Sequence, residues 1–224
     1  MAANFLLKSG DCYLMKEAIH ETSWESSNIQ VFWGEIAPCD HLVQIYESEN
    51  IFMNTLEGFV GDGFIRKEAV IVIATPSHIV NLNNRLKNQG FDLDMLMAKD
   101  QYIPVDANES IEKFMVNGWP DEILFSDFVG SLLKRARLNN RKVRAFGEMV
   151  ALLWAQGHNG ATVRLETLWH QLQLKNKFCI YCAYPKSGFT QDANASIDKI
   201  CETHSKLIDG CSHPSTEIYY KATA

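Results

Sequence analysis

No stretch of the 224-residue sequence approaches the roughly 20 consecutive apolar residues that span a bilayer. Its N-terminus also lacks the basic, apolar, small-residue order of an export signal. The expectation is a cytoplasmic protein without a membrane anchor. An excess of basic residues is missing too: 21 Lys and Arg stand against 27 Asp and Glu, for a net charge of -6. Nothing then supplies the electrostatic footprint of a phosphate backbone or an anionic bilayer, and direct nucleic-acid or membrane binding is not expected. The run Lys134, Arg135, Arg137, Arg141, Lys142, Arg144 is the local exception. It crosses a helix end into the next strand, where cations are favoured, and reads as a solvated face. Proline is scarce, the six residues standing singly where elements should end, and there is no repeat or low-complexity run, so no linker is apparent. Six cysteines (Cys12, Cys39, Cys179, Cys182, Cys201, Cys211) without an export signal are expected as reduced thiols rather than a disulfide framework.

What is present is an ordinary globular composition, 46% hydrophobic and 21% charged, in a chain long enough to bury a sizeable core. The first forty residues read weakly: a short helix pattern at Tyr13 to His20, a loop at Ser23 to Asn28 and an edge-strand alternation at Ile29 to Trp33. From His41 the pattern sharpens. His41 to Tyr46 is a strand and Glu49 to Val60 a helix, ending near Gly61 and Gly63. Ala69 to Ala74 is a continuous apolar run, as in a parallel strand buried on both faces, and Ser77 to Gln89 follows as a helix closed by Gly90. A strand at Gln101 to Val105, a short helix after Asp106 and a helix from Asp121 to Leu138 entered at Pro120 continue the rhythm. Next come a strand at Lys142 to Phe146, helices at Met149 to Ala155 and Ala161 to Leu174, a strand at Phe178 to Tyr184 and a last helix at Ala193 to Leu207.

Strands alternating with helices imply a mostly parallel sheet with helices on both faces, and ligands of such sheets gather beyond the carboxyl ends of the strands. The division expected is an N-terminal extension or cap at 1–32, an α/β domain at 33–208 and a C-terminal tail at 209–224. The loop that would cradle nucleotide phosphates, G-x-x-x-x-G-K-[ST], does not occur. The glycines at 58, 61 and 63 follow a helix rather than precede one, and read as its stop.

Cys179 and Cys182 form a C-x-x-C, but on a strand an offset of three points the thiols to opposite faces, so they cannot share a metal. Cys201, His204, Cys211 and His213 could hold zinc only if the last helix turned back on itself. Their spacing matches no common finger, so they read as helix-face residues, and neither a metal nor another cofactor is expected. No G-x-S-x-G marks a hydrolase. Asp106 and Glu148, both at strand ends, are candidate paired carboxylates, though such residues more often cap the helix that follows. Phe146-Gly-Glu148-Met, with Trp154 further along, suits ligand recognition; the plain reading is a first-turn carboxylate and a core tryptophan.

These stretches together resemble one known family. Asp40-His41 through Tyr46-Glu47, Val70 through His78, Gln101-Tyr102, Asp106-Ala107, Phe114 through Pro120, Arg144 through Trp154 and Cys182-Ala-Tyr-Pro185 are similar to the MEDS family, a sensory domain named for methanogens, methylotrophs and the repressor DcmR. The resemblance runs from about Trp33 to Ser205. It implies a three-layer RecA/KaiC-like α/β scaffold without a phosphate loop, and a role in sensing small organic molecules or another signal. The chain carries neither a kinase nor a recognisable helix-turn-helix, so output is expected through a signalling partner or a homo-oligomer.

The leading expectation is therefore a non-catalytic sensory module that binds an unknown small organic ligand at the carboxyl edge of the sheet. The residues placed near strand ends, His41, Tyr46, His78, Tyr102, Asp106, Glu148 and Tyr184, with Trp154, are the candidate ligand-binding set. The alternatives are a protein-docking module for a separately encoded kinase or regulator, and a residual enzyme using Asp106 and Glu148 as acid and base.

Overall fold

Ala69–Ala74 is six apolar residues long and buried at every position, so it must lie inside a sheet with both faces covered. The computed structural model describes residue 37 and residues 40–188, 200, 202–210 and 218–220. In chain order the elements are β1 (His41–Tyr46), α1 (Glu49–Ile65), β2 (Ala69–Ala74), α2 (Pro76–Asn88), α3 (Leu93–Ala98), β3 (Tyr102–Asp106) and α4 (Ala107–Glu112). A small hairpin, β4 (Met115–Val116) and β5 (Trp119–Pro120), leads to α5 (Glu122–Ala136), β6 (Val143–Gly147), α6 (Met149–Ala155), α7 (Asn159–Asn176), β7 (Cys179–Pro185), β8 (Lys206–Gly210) and β9 (Ile218–Tyr220).

The main sheet runs β3-β2-β6-β7-β1-β8-β9, parallel from β3 through β8, with β9 antiparallel at the far edge. One face packs Phe52, Leu56, Phe59, Leu82, Leu86 and Leu93 of α1 to α3 against Val70, Val72, Phe146 and Tyr181. The other packs α4 to α7 against Ile71, Ile73, Ala145, Ile180 and Cys182. The expected three-layer α/β architecture is the one observed. Cys179 and Cys182 fall in opposite core layers, as an offset of three on a strand requires.

Helix starts follow local chemistry. Ser48, Asp92, Asp106 and Asp121 each accept a backbone N–H of the turn that follows, and Pro76 supplies a preset φ at the first position of α2. Pro120 lies in the hairpin, one residue before the Asp121 cap of α5. Gly61 and Gly63 do not stop α1, which continues to Ile65. A β-carbon at Gly63 would stand 2.8 Å from Val70 Cγ2, so the glycine lets the helix backbone come down onto the sheet. Close approach, not termination, is its role.

The basic run is not one solvated face. Arg144 is buried and pairs with Asp62 at 2.6 Å and with Glu68, Arg135 pairs with Asp100 at 2.6 Å, and Arg141 donates to the Lys99 carbonyl at 2.7 Å. Beyond β7, Lys206–Gly210 is a strand, so the helix expected to reach Leu207 does not. The sheet continues past residue 208 into the stretch read as a tail. The readings at Tyr13 to His20, Ser23 to Asn28 and Ile29 to Trp33, and those on Cys12, Cys39, Cys201, Cys211 and His213, fall outside the described residues. Among the described residues no helix is long and apolar enough to cross a membrane.

Candidate functional site

In parallel strands the carboxyl ends share one edge, and there the chain gathers polar side chains from three loops. Glu148 follows β6 directly, and its backbone N–H donates to the Ile73 carbonyl at 2.8 Å, carrying the ladder to the last residue. Gly147 beside it packs closely on α7, where a β-carbon would meet the Trp169 ring at 3.3 Å. Glu148 is thereby held at the rim. Its Oε2 accepts the Thr75 N–H at 2.8 Å, at the entry to α2. Its Oε1 lies 2.8 Å from His78 Nδ1, in the first turn of α2, and His78 Nε2 lies 2.5 Å from Glu49 Oε1, in the first turn of α1.

Both nitrogens of His78 face carboxylate oxygens, an arrangement that suits the imidazolium. The hydrogen bond to Glu148 raises the His78 pKa above its ordinary value; partial burial opposes the rise, and the charges of Glu148 and Glu49 add to it. Tyr46, at the end of β1, stacks on Phe52 with ring centroids 4.9 Å apart. Burial first, then Glu49 and Glu148, push its hydroxyl pKa well up. Glu49 is the exposed member, at 56% of its side-chain surface, against 17% for His78 and 10% for Glu148. It is the partner most free to leave.

The link from β1 to α1 is only Glu47 and Ser48. Ser48 spends its side chain accepting the Ile51 N–H, and Glu47 is paired with Lys186 at 2.5 Å. No glycine-rich cradle opens there for phosphate.

Of the eight candidate residues, Tyr46, His78 and Glu148 meet at this edge. Asp106 stands at the carboxyl end of β3 as the cap of α4, its Oδ1 accepting the Asn108 N–H at 2.8 Å. It and Glu148 go to separate partners, so the paired-carboxylate arrangement is not the one these contacts describe. Tyr102 opens β3 at the amino end, buried, and donates to Asn83 Oδ1 at 2.7 Å. Trp154 is buried near the end of α6 and donates its indole N–H to the Gly188 carbonyl at 2.7 Å, fastening the turn after β7.

His41 and Tyr184 belong elsewhere. His41 opens β1 at the amino end, fully buried, and both side chains face the α7 layer, where Tyr184 donates its hydroxyl to Glu166. His41 Nε2 lies 3.5 Å from Glu166 Oε2 and 3.7 Å from Cys182 Sγ. His204, ahead of β8, brings its Nε2 to 3.5 Å from the same Glu166 oxygen. Burial, then the neighbouring His170, depresses the His41 pKa to about 3, with the Thr203 backbone pulling weakly the other way. Burial, then His41, depresses the His204 pKa to about 3. Burial followed by Glu166 pushes the Cys182 thiol pKa well up.

Sequence reasoning missed two members of these groups, Glu49 and Glu166. Glu49 carries no signal beyond being acidic in a first turn. Glu166 does: it stands in phase with Thr162, Leu165, Trp169 and Gln173 on the buried stripe of α7, and a carboxylate in an apolar stripe demands an internal partner.

The model of the methanogen/methylotroph, DcmR sensory domain family, MEDS, matches residues 40–205. Among solved structures, a KaiC-like protein of the hyperthermophilic archaeon Pyrococcus horikoshii OT3 superposes with a TM-score of 0.53 at 9% identity, covering 76% of this chain and 70% of that one. A second protein of the same organism gives 0.48 at 10% identity, covering 83% and 89%. At 9% identity the first likeness speaks for the fold alone, a KaiC-like scaffold. No curated protein matches the sequence.

Proposed function

The chain belongs to the MEDS family of sensory domains, and from that premise we propose that it senses a small organic molecule at the carboxyl edge of its sheet without transforming it. The observation that carries the reading is His78 clamped between Glu148 and Glu49, with the Tyr46 and Phe52 rings alongside. Glu148 is fixed by the Thr75 N–H and the β6 ladder, whereas Glu49 is mostly in solvent. A ligand with an oxygen acceptor takes the place of Glu49 on His78 Nε2, and its carbon skeleton lies against the rings. The first turn of α1 then loses one of its ties to α2, Asn50 keeping its contact with Arg85, which couples occupancy to the position of a helix. The two-residue link between β1 and α1, without a glycine-rich loop, supports a small organic occupant over a triphosphate.

The test is a thermal-shift and calorimetric screen of short-chain alcohols, carbonyl compounds and carboxylates against the full chain. A true ligand stabilises by about 2.7 kcal/mol at a hundredfold excess over its dissociation constant. His78→Gln should weaken binding about tenfold or more, the loss of one charge-assisted hydrogen bond, and Glu49→Gln should strengthen it by removing the competitor. A ligand bound equally by all three proteins defeats the assignment of the site.

One observation favours the competing reading, a docking module for a separate regulator. Val116, Trp119, Ile123 and Leu124 all leave more than two fifths of their surface exposed within residues 116–124. Trp119→Ala or Ile123→Ser abolishing signalling output while every ligand-induced shift survives would choose docking.

A further inference from the structure

Away from that edge, four side chains converge beneath the sheet from four separate elements: His41 of β1, Cys182 of β7, Glu166 of α7 and His204 just ahead of β8. All four are buried, and one ligand atom from each lies within 4.8 Å of every other. Glu166 Oε2 lies 3.5 Å from each imidazole Nε2 and 3.6 Å from Cys182 Sγ, and Cys182 Sγ lies 3.7 Å from His41 Nε2. A tetrahedral zinc with bonds of 2.0–2.3 Å to nitrogen, oxygen and sulfur requires ligand atoms about 3.3–3.6 Å apart. Four of the six separations fall within about 0.1 Å of that range, and the other two lie within 4.8 Å.

Hydrogen bonding around the cluster points the same way. His204 Nδ1 lies 2.6 Å from the Ile200 carbonyl, which can only accept, so Nδ1 carries the proton and Nε2 carries a bare lone pair. That Nε2 is buried and has no hydrogen-bond partner among the described residues. A backbone carbonyl holding the far nitrogen is how a metal-bound imidazole is oriented. Tyr184 donates to Glu166 Oε1, leaving Oε2 facing the cluster. His204 and Glu166 are each oriented by an outer partner, whereas His41 Nδ1 has none among the described residues.

Charge supports the assignment. Glu166 is fully buried between two imidazoles and a thiol, and no Lys or Arg pairs with it among the described residues. A divalent cation with one carboxylate, one thiolate and two imidazoles sums to zero, which offsets the cost of burying the Glu166 carboxylate. The mixed nitrogen, oxygen and sulfur donors suit zinc and not magnesium or calcium, which take oxygen.

We propose that His41, Glu166, Cys182 and His204 bind one zinc ion in a closed, structural site. Binding releases the Cys182 thiol proton to solvent and forms four protein–zinc bonds. The ion ties the segment leading into β8 onto β1, β7 and α7, fixing the sheet beyond its central strands. This site is separate from the His78 edge and does not depend on it.

The experiment is metal analysis of the full chain purified without chelator, followed by melting with and without a zinc chelator and by cobalt substitution. Expected are about one zinc per chain, a lower Tm on chelation that zinc restores and magnesium does not, and the visible absorption of tetrahedral cobalt–thiolate. Cys182→Ser should cut bound metal about tenfold or more and abolish the thiolate band. Should that variant fail to fold, His204→Gln serves the same end, and the wild-type measurements stand without either. Folded wild-type chain that holds no zinc above the buffer blank after incubation with zinc, or whose Tm ignores the chelator, overturns the proposal.

Discussion

Gly63 and Gly130 both sit inside long helices, yet alanine at the two positions should change stability in opposite directions. On propensity alone, Gly→Ala in a helix interior is worth about 0.5–1 kcal/mol in favour of the variant. At Gly130 nothing else enters, since a β-carbon there meets no atom within 4 Å, so Gly130→Ala should gain about that amount. At Gly63 the new carbon would stand 2.8 Å from Val70 Cγ2 and 3.3 Å from Arg144 Cδ. Neither neighbour yields easily: Val70 is fully buried in β2, and Arg144 is held by Asp62 and Glu68. Overpacking of this kind costs about 1–3 kcal/mol. Set against the propensity gain, Gly63→Ala should lose roughly 1 kcal/mol, so the variants differ by about 2 kcal/mol. For a domain of this size that is about 4–8 °C in Tm, readable by calorimetry, with denaturant melts giving the free energies. Equal shifts of the same sign would refute the claim that α1 rests its backbone on the sheet at Gly63.

His78 faces Glu49 and Phe52 of α1 and Glu148 beyond β6, and its folded pKa is raised mainly by the hydrogen bond to Glu148. A raised pKa contributes stability that is complete below the unfolded value of about 6.5 and is lost as pH climbs through the folded value. Wild type should therefore exceed His78→Gln in stability by more at about pH 6 than at about pH 8.5, and NMR titration of His78 should show its pKa falling in Glu148→Gln; a pH-independent difference would contradict the clamp. Arg144→Met leaves Asp62 and Glu68 without their shared cation in a largely buried setting, with an expected loss of about 3 kcal/mol by urea unfolding. Lys177 closes α7 in the left-handed region at φ 48°, with its side chain exposed, and Lys177→Gly should stabilise by up to about 1 kcal/mol in the same assay.

The alternation of strand and helix, the fully buried β2 and the bounds of β1, β2 and α6 follow from period and composition alone, because burial on one stripe or on both faces leaves its mark residue by residue. The missing phosphate loop is equally a property of the sequence, and so is the placement of Tyr46, His78 and Glu148 near one edge, since parallel strands must end together. Tertiary structure alone decided the rest. Gly61 and Gly63 look like a helix stop until the sheet beneath them is in place. Arg144 looks like part of a solvated basic face until α1 brings Asp62 over it. Most of all, no spacing rule joins His41, Glu166, Cys182 and His204, which stand far apart along the chain. Their meeting depends on β1 pairing with β7 on one side and β8 on the other while α7 crosses beneath. Local periodicity records which way a side chain points, but which distant side chain it meets is set by strand order.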